Sequence, residues 1–340
     1  MTAFAALLLA VQLFAGEWPT FGADAARTGA VGNGELDAAH AARLHPAWRA
    51  PLGDVADAAP ILVSGTLYIT TKSGTTVALN ARDGHVEWRF DTHGPGITTS
   101  VPVADPSRKW IYAPGVDGFV HRLDARTGKE DRSRGFPVRI TTMPQTEKDA
   151  SALNLANGYL YAATSGYFGD APPYAGHVVT VRLSDGATHV FNTLCSNDRR
   201  LPTGSSCSQS GSGIWSRGGV VADPDPSMNG RVYAATGNGR FDASSGGRNY
   251  GDSIVALDRD GSALADYYTP STFAQLDSGD TDLGSTSPAM LPRQARSRTP
   301  LLAVMGGKDG VLRLLDRRHL GGVGHEVQRI DAGEDLFATP

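Results

Sequence analysis

Apolar and polar residues alternate through residues 59–90, in short segments separated by turn-forming residues. This period of two is typical of strands that bury one face against a core. The alternating apolar positions are Leu67, Ile69, Val77, Leu79, Val86 and Trp88. Glycines, which readily adopt the positive φ of tight hairpin turns, stand in the breaks at Gly65, Gly74 and Gly84. The pattern predicts strands at 61–63, 66–71, 75–80 and 85–90.

The same pattern returns along the chain near residues 111, 160, 232 and 302. Each copy has an apolar residue before tyrosine or alanine, a loop with glycine, and a leucine near an acidic residue. One four-stranded meander cannot bury both of its faces, so each copy needs neighbours. Repeats made only of strands and turns predict an all-β fold, a β-propeller of four-stranded antiparallel blades. The predicted blades, about five, span 59–91, 100–141, 151–194, 213–270 and 284–331.

The two ends of the chain carry further expectations. Residues 1–16 are apolar and short for a bilayer span, and they resemble a secretory signal peptide, with a buried first segment as the alternative. Residues 17–340 would then form one exported propeller, periplasmic or secreted. Residues 44–50 look like the last strand of a blade, which would complete the final blade. Residues 335–340 resemble the start of a blade, so we expect either an open five-bladed arc or part of a larger, eight-bladed ring.

Composition narrows the classes of function. The chain has 340 residues with 41 Gly and a formal net charge of −4, and it has no run of Lys or Arg. These values are typical of a loop-rich β protein without a nucleic-acid partner, and no segment is expected to span a membrane. Sequence motifs of zinc proteases, serine hydrolases, nucleotide-binding loops and attached c-type haem do not occur. Cys195 and Cys207 share one loop, which in an exported protein predicts a disulfide, with two free thiols as the alternative.

Three phrases in the second half of the chain resemble a known family. They are Gly-Ser-Gly-Ile-Trp from residue 211, with Thr-Gly-Asn at 236–238, then Gly-Asp-Thr-Asp-Leu-Gly from 279, and Gly-Gly-Lys-Asp-Gly from 306. Together with the repeat, they resemble the pyrroloquinoline-quinone-type propellers, the quinoprotein alcohol dehydrogenase-like superfamily, and most of all its polyvinyl-alcohol dehydrogenase branch. The resemblance implies oxidation of an alcohol with pyrroloquinoline quinone (PQQ) and Ca²⁺, and transfer of electrons to a separate cytochrome.

The resemblance also implies roles for individual residues. Trp215 would stack under the quinone, Asn238 would ligate calcium, and Lys308 would contact the quinone oxygens. Asp282 would be the catalytic base and a calcium ligand. These residue types suit the chemistry, because a carboxylate can accept the alcohol proton and a cation stabilises a developing oxyanion.

One position departs from the family pattern. Where the family has a glutamate calcium ligand after a strand end, this chain has Tyr167 and Phe168. Asp170 is the nearest acid, and it is the remaining candidate for the third ligand. Calcium prefers several oxygen ligands, so the replacement weakens the expected calcium site.

Each candidate residue also has a structural alternative. Trp215 would pack between blades, Asn238 would be a turn residue with positive φ, Asp282 would cap a turn beside Asp280, and Lys308 would be an exposed loop lysine. The second function is accordingly a non-catalytic propeller that binds protein partners in the periplasm or at the cell envelope. The catalytic hypothesis requires the four side chains to converge on one cavity. The acidic run 223–230 loosely resembles a calcium loop, but a hairpin turn is expected there.

Overall fold

The structure, a computed structural model, describes residues 16–30 and 41–338. It confirms the all-β fold: five antiparallel sheets follow one another along the chain, one in each predicted blade. The predicted signal peptide lies outside the described residues, apart from Gly16. No helix among the described residues is long and apolar enough to cross a membrane.

The first two blades are plain four-stranded meanders. Blade 1 consists of β1 (Ile61–Val63), β2 (Thr66–Thr70), β3 (Thr75–Asn80) and β4 (Val86–Asp91). Its strands differ from the predicted bounds by one residue at most. Blade 2 consists of β5 (Val103–Ala104), β6 (Trp110–Pro114), β7 (Phe119–Asp124) and β8 (Val138–Arg139).

The third blade carries an extra strand, β9 (Glu147–Asp149), which pairs with the far end of the second strand of the blade. The blade itself consists of β10 (Asn154–Ala156), β11 (Tyr159–Gly166), β12 (His177–Arg182) and β13 (Thr188–Asn192). The long loop after β13 contains the disulfide between Cys195 and Cys207, which confirms the predicted pair.

The last two blades are joined by the helix α1 (Phe273–Gly279). Blade 4 consists of β14 (Val221–Ala222), β15 (Val232–Ala235), β16 (Ile254–Leu257) and β17 (Leu264–Thr269). Blade 5 consists of β18 (Ala289–Met290), β19 (Leu302–Met305), β20 (Val311–Asp316) and β22 (Gln328–Asp331), while β21 (Gly322–Val323) pairs in parallel with β17. Short 3₁₀ helices span Pro226–Met228, Ala243–Ser245 and Leu283–Ser285.

The hydrophobic core lies between successive blades. Leu123 of blade 2 packs with Tyr68 of blade 1, and Leu315 of blade 5 packs with Tyr233 of blade 4. Two similar clusters join blade 2 to blade 3 and blade 3 to blade 4. The leucine of the repeat thus packs between blades as the pattern predicts, since a sheet buried on both faces needs apolar neighbours.

A tryptophan of blade 1 packs on a glycine turn of blade 2. The Trp88 indole Nε1 donates to the carbonyl of Ala125 at 2.9 Å. Gly128, at φ +68°, ends the turn that Asp124 caps by accepting from Thr127 N at 3.0 Å. A Cβ at Gly128 would lie 2.6 Å from the Trp88 ring, so the turn accepts only glycine there.

The strand predicted at 44–50 is not present. The backbone there is irregular. Pro46 within the segment and Pro51 directly after it lack the N–H groups that a strand ladder needs. Trp48 nevertheless donates from Nε1 to the carbonyl of Ala81 at 3.1 Å and covers Gly84. Its place on blade 1 matches that of Trp88 on blade 2.

Residues 17–28 run across the first strands of four blades and tie them together. Trp18 pairs with Leu62 of β1, and the carbonyl of Ala25 accepts from Ala222 of β14 at 2.9 Å. The buried guanidinium of Arg27 donates to the carbonyls of Leu153 at 3.0 Å and Gly218 at 3.1 Å. The segment therefore fixes the positions of the blades relative to one another.

The acidic run 223–230 forms the expected hairpin rather than a calcium loop. Asp225 caps the 3₁₀ helix Pro226–Met228 by accepting from Ser227 N at 3.0 Å. Asp223 is fully buried and pairs with Arg317 at 2.7 Å, which links blade 4 to blade 5. Both carboxylates are thus used in structural contacts.

Candidate active site

One cavity of about 580 Å³ is lined by loops of blades 3, 4 and 5 and by Asp57 and Thr99, which precede blades 1 and 2. Its walls include Trp215, Asn238, Asp282 and Lys308, the four residues that the sequence predicted to converge, and Asp170. Asn238 follows β15 and Lys308 follows β19, each the second strand of its blade. The Phe168 loop follows β11, which holds the same place in blade 3. Equivalent turns of the repeat therefore bring side chains that are distant in sequence to one cavity.

Asp282 is the centre of the polar contacts in this cavity. It is 7% exposed, and its Oδ1 accepts from the backbone N–H of Asn238 at 2.8 Å and from Trp215 Nε1 at 3.4 Å. Its Oδ2 accepts from Lys308 Nζ at 2.5 Å. Asp282 precedes the 3₁₀ helix Leu283–Ser285 but makes no side-chain capping bond to it. The turn-capping alternative for Asp282 is therefore not what the structure shows.

Gly237 makes room for the Asp282 carboxylate. A Cβ at Gly237 would overlap Asp282 Oδ1 and would lie 2.9 Å from Trp215 Nε1. Gly237 therefore lets the Asp282 carboxylate come close to the backbone, where the N–H of Asn238 can donate to it.

Lys308 is held by two carboxylates and an aromatic ring. Its ammonium lies 2.5 Å from Asp282 Oδ2, 3.7 Å from Asp280 Oδ1 and 5.4 Å from the centroid of Trp215. Burial lowers the pKa of Lys308, but the hydrogen bond and the charge of Asp282 outweigh burial and raise it overall. Lys308 is therefore a fixed cation of the cavity and not an ordinary exposed lysine.

Asn238 presents an unused acceptor. Its Nδ2 donates to Asp280 Oδ1 at 3.0 Å, whereas its Oδ1 is buried and accepts no hydrogen bond from any residue that the structure describes. Asn238 is not among the residues with positive φ, so it does not serve as a left-handed turn residue. A buried carbonyl oxygen without a donor indicates a place for a cation or a ligand donor.

Asp252 supports the loop that carries Asp282. The Asp252 Oδ1 accepts from the backbone N–H of Leu283 at 3.0 Å, and burial raises the pKa of Asp252 to about 8. The sequence analysis did not select Asp252, because its contact with the 282–283 loop depends on how blades 4 and 5 pack.

The side of the cavity formed by blade 3 differs from the family pattern. Phe168 stands at the rim with 77% of its surface exposed, and Tyr167 donates from its hydroxyl to the carbonyl of Pro144 at 2.8 Å. Asp170 Oδ1 accepts from the Tyr174 hydroxyl at 2.8 Å. The acid that remains in this loop is thus bonded to a tyrosine.

Two further cations in the cavity were missed by sequence reasoning. Arg217, two residues after Trp215, pairs with Asp57 at 2.8 Å. Lys148 on β9 is 8% exposed, and burial lowers its pKa to about 8. The position of Arg217 next to the tryptophan phrase is a signal that sequence reasoning had available. Lys148 carries no such signal, since β9 is not part of the repeat.

These residues fit a flat quinone, and they do not form an assembled calcium site. The cavity has the size of typical cofactor sites, and its lining contains an indole ring, the cations Lys148, Arg217 and Lys308, and the carboxylates of Asp57, Asp170, Asp280 and Asp282. Calcium takes six to eight oxygens as a rule. The described parts of the chain contain no group of three or more acidic, histidine or cysteine residues arranged to hold a metal. Calcium ligation by Asn238, Asp282 and Asp170 stays a prediction, and no catalytic step below uses a metal ion.

Comparison with known proteins agrees with the fold. Residues 18–165 match the family described as glucose/ethanol/alcohol dehydrogenase, beta-propeller domain. Quinohemoprotein alcohol dehydrogenase ADH IIB of Pseudomonas putida is 25% identical over 92% of this chain and 47% of its own length. The solved structure of quinohemoprotein alcohol dehydrogenase ADHIIG from Pseudomonas putida HK5 superposes with a TM-score of 0.73 at 20% identity, over 93% of this chain and 48% of that one. The chain shares the β-propeller fold of these dehydrogenases, and residues 18–165 match their propeller family.

This propeller spans about half the length, or less, of the curated relatives that it matches. Polyvinylalcohol dehydrogenase of a Pseudomonas species is among them, 24% identical over 71% of the propeller and 38% of the relative. The predicted resemblance to the quinoprotein alcohol dehydrogenases is confirmed. The cofactor-binding roles of Trp215, Asn238 and Lys308 and the catalytic role of Asp282 stay predictions.

Proposed function

We propose that this propeller is an exported quinoprotein dehydrogenase, which binds PQQ in the cavity and oxidises an alcohol with Asp282 as the general base. The electrons would pass to a separate cytochrome. The convergence of Trp215, Asn238, Asp282 and Lys308 on one cavity carries the proposal. The similarity to alcohol dehydrogenases of the same repeat type supports it.

The quinone, when bound, supplies a carbonyl pair that accepts two electrons from the alcohol. The chain supplies the groups around it. The Trp215 ring offers a flat apolar surface for a planar ligand, and Lys308 offers a cation within reach of the same ring. Both side chains donate a hydrogen bond to Asp282, which fixes their positions relative to each other.

Asp282 is suited to accept the alcohol proton at Oδ2. Its Oδ1 is already occupied by the Asn238 N–H and the Trp215 indole, which fixes the plane of the carboxylate. Lys308 donates to Oδ2 and holds that oxygen towards the cavity, and the low exposure of the site keeps water away. A positioned carboxylate of this kind contributes about 10²–10⁴-fold to a proton transfer.

The proposal is tested by titrating the full chain with PQQ, followed through tryptophan fluorescence, and by a dye-linked alcohol oxidation assay. The Asp282→Asn variant should bind the quinone but lose at least about a hundredfold in turnover. Lys308→Met should weaken quinone binding. Lys129→Met, which removes an exposed lysine, should change neither quinone binding nor turnover. Trp215→Phe should remove most of the quenching.

Absence of quinone binding under all conditions would overturn the proposal. The non-catalytic propeller would then be the better description, with protein partners at the cell envelope. The exposed aromatic rings of Phe168 and Phe337 at the cavity rim support that second function, since such rings suit an apolar partner. In that outcome, Phe168→Ser and Phe337→Ser should be used to find the partner surface.

A further inference from the structure

Lys148 is a largely buried lysine that forms no ion pair within the described ranges. It lies on β9, opposite Ser165 of β11, and its side chain lines the cavity. Its ammonium forms neither a salt bridge nor a hydrogen bond with any residue in the ranges 16–30 and 41–338, although only 8% of the residue is exposed. Removing a charge from water without a partner is costly, so such a group indicates a missing anion.

The charged neighbours of Lys148 are engaged elsewhere. Asp57 pairs with Arg217 at 2.8 Å, and Asp170 accepts from the Tyr174 hydroxyl at 2.8 Å. Lys72 adds a second positive charge nearby. Asp57 and Asp170 offset part of the positive charge around Lys148, but neither forms an ion pair with its ammonium.

Phe168 holds the ammonium in place. The Lys148 Nζ lies 4.6 Å from the centroid of the Phe168 ring, and the Lys72 Nζ lies 5.8 Å from it. A cation over the face of an aromatic ring is attracted to it. A phenyl ring cannot ligate a metal, but it can orient an ammonium. One of the two aromatic residues that stand where the family pattern has a glutamate thus contacts a lysine.

We propose that Lys148, oriented by Phe168, binds a carboxylate of the quinone, and that Lys148 and Lys308 together supply the positive charge of this cavity in place of a divalent metal ion. Quinone binding then does not require calcium. This inference rests on the proposed quinone function. The two lysines lie on β9 of blade 3 and after β19 of blade 5, and both line the same cavity.

The first test measures PQQ affinity on protein freed of metal with a chelator, by tryptophan fluorescence and by calorimetry, with and without added calcium. The dissociation constant of the wild-type chain should agree within about twofold between the two conditions. Lys148→Met should raise it by about tenfold to a hundredfold, because a charge-assisted hydrogen bond is lost. Lys148→Arg should restore most of the affinity, and Lys129→Met should match the wild type.

Thermal unfolding of the unliganded variants separates binding from folding. Lys148→Met should be at least as stable as the wild type, since it removes an unpartnered buried charge. A weakened quinone affinity in a protein of undiminished stability identifies a ligand contact. A large loss of stability together with unchanged affinity per folded molecule would overturn the role of Lys148 in binding.

Phe168 variants test whether Lys148 takes the place of a calcium ion in quinone binding. Phe168→Glu should weaken quinone binding without calcium, because the new carboxylate neutralises Lys148, and added calcium should restore part of it. Phe168→Leu, which removes only the aromatic face, should weaken binding less and show no calcium effect.

The outcomes separate the two proposals. Wild-type binding that appears only with calcium would overturn the lysine inference and leave the quinone function standing. Binding of unchanged strength in Lys148→Met would do the same. No quinone binding with or without calcium would overturn both.

Discussion

Trp48 lies over Gly84 on blade 1 in the same way that Trp88 lies over Gly128 on blade 2. The indole Nε1 of Trp48 donates to the Ala81 carbonyl at 3.1 Å, and that of Trp88 donates to the Ala125 carbonyl at 2.9 Å. A Cβ at Gly84 would lie 2.5 Å from the Trp48 ring. The segment before the first blade therefore uses the contact by which one blade docks on the next.

Trp48→Ala should reduce the free energy of unfolding by about 2 kcal/mol, because it exposes an apolar face of blade 1 and leaves the Ala81 carbonyl without its donor. Chemical denaturation gives the value. Arg49→Ala, at an exposed neighbouring position, should stay within about 0.5 kcal/mol of the wild type. Equal unfolding midpoints for the two variants would show that Trp48 does not support the blade.

The buried pair of Asp223 and Arg317 should be costly to break. Both side chains are at most 1% exposed, and the Tyr233 hydroxyl also donates to Asp223 at 3.1 Å. Asp223→Ala should lower the free energy of unfolding by about 3–5 kcal/mol, since Arg317 would keep an uncompensated charge. Arg293→Ala breaks a half-exposed pair with Asp225 and should cost about 0–1 kcal/mol in the same denaturant titration.

Gly237→Ala should impair the cavity more than the fold. The added methyl group would overlap Asp282 Oδ1, so the carboxylate must move away from Asn238 and Lys308. We expect at least about a tenfold loss in quinone affinity or turnover, since small displacements at a reacting group are costly. Gly279→Ala at the end of α1 adds a methyl group 3.2 Å from Thr281 Oγ1 and should leave both properties near the wild-type values.

His121 should make blade 2 sensitive to pH. Burial lowers the pKa of His121, but hydrogen bonds and charges from Asp117 and Glu130 outweigh burial and raise it above the ordinary 6.5. Because the folded pKa is the higher one, the stabilisation is fully present below pH 6.5 and is lost as the pH rises through the folded value. As the pH rises through this window, the melting temperature of the wild type should fall, and that of His121→Gln should change less. The exposed control His85→Gln should keep the wild-type slope.

Quinone affinity should also fall at alkaline pH. Burial lowers the pKa of Lys148 to about 8, against the pull of Asp57 and Asp170 and with the help of Arg217 and Lys72. Protonated Lys148 binds the carboxylate and neutral Lys148 does not, so the dissociation constant should rise as the pH passes above about 8. Lys148→Arg should shift this rise to higher pH, because arginine stays charged. A flat profile in the wild type would contradict the assignment.

The repeat made the blades predictable from sequence. Alternating apolar residues, glycine turns and the leucine before the acidic residue are local signals, and each blade forms where they occur. The ordered phrases around Trp215, Asn238, Asp282 and Lys308 were also visible, and the structure brings the four residues to one cavity. The strand at 44–50 was predicted wrongly. Trp48 stands where the last strand of a blade has its tryptophan, but Pro46 and Pro51 lack the N–H donors that a strand ladder needs.

The sequence by itself determined the number of repeats in the described chain, the strand order and the residue types offered to the cavity, because these depend on periodicity along the chain. The tertiary structure alone decided which charges are paired. Asp57 is neutralised by Arg217 from a loop 160 residues away in sequence, while Lys148, on a strand outside the repeat, keeps its charge against Phe168. Pairing depends on distance in space and on burial, and neither is set until the blades pack around the cavity.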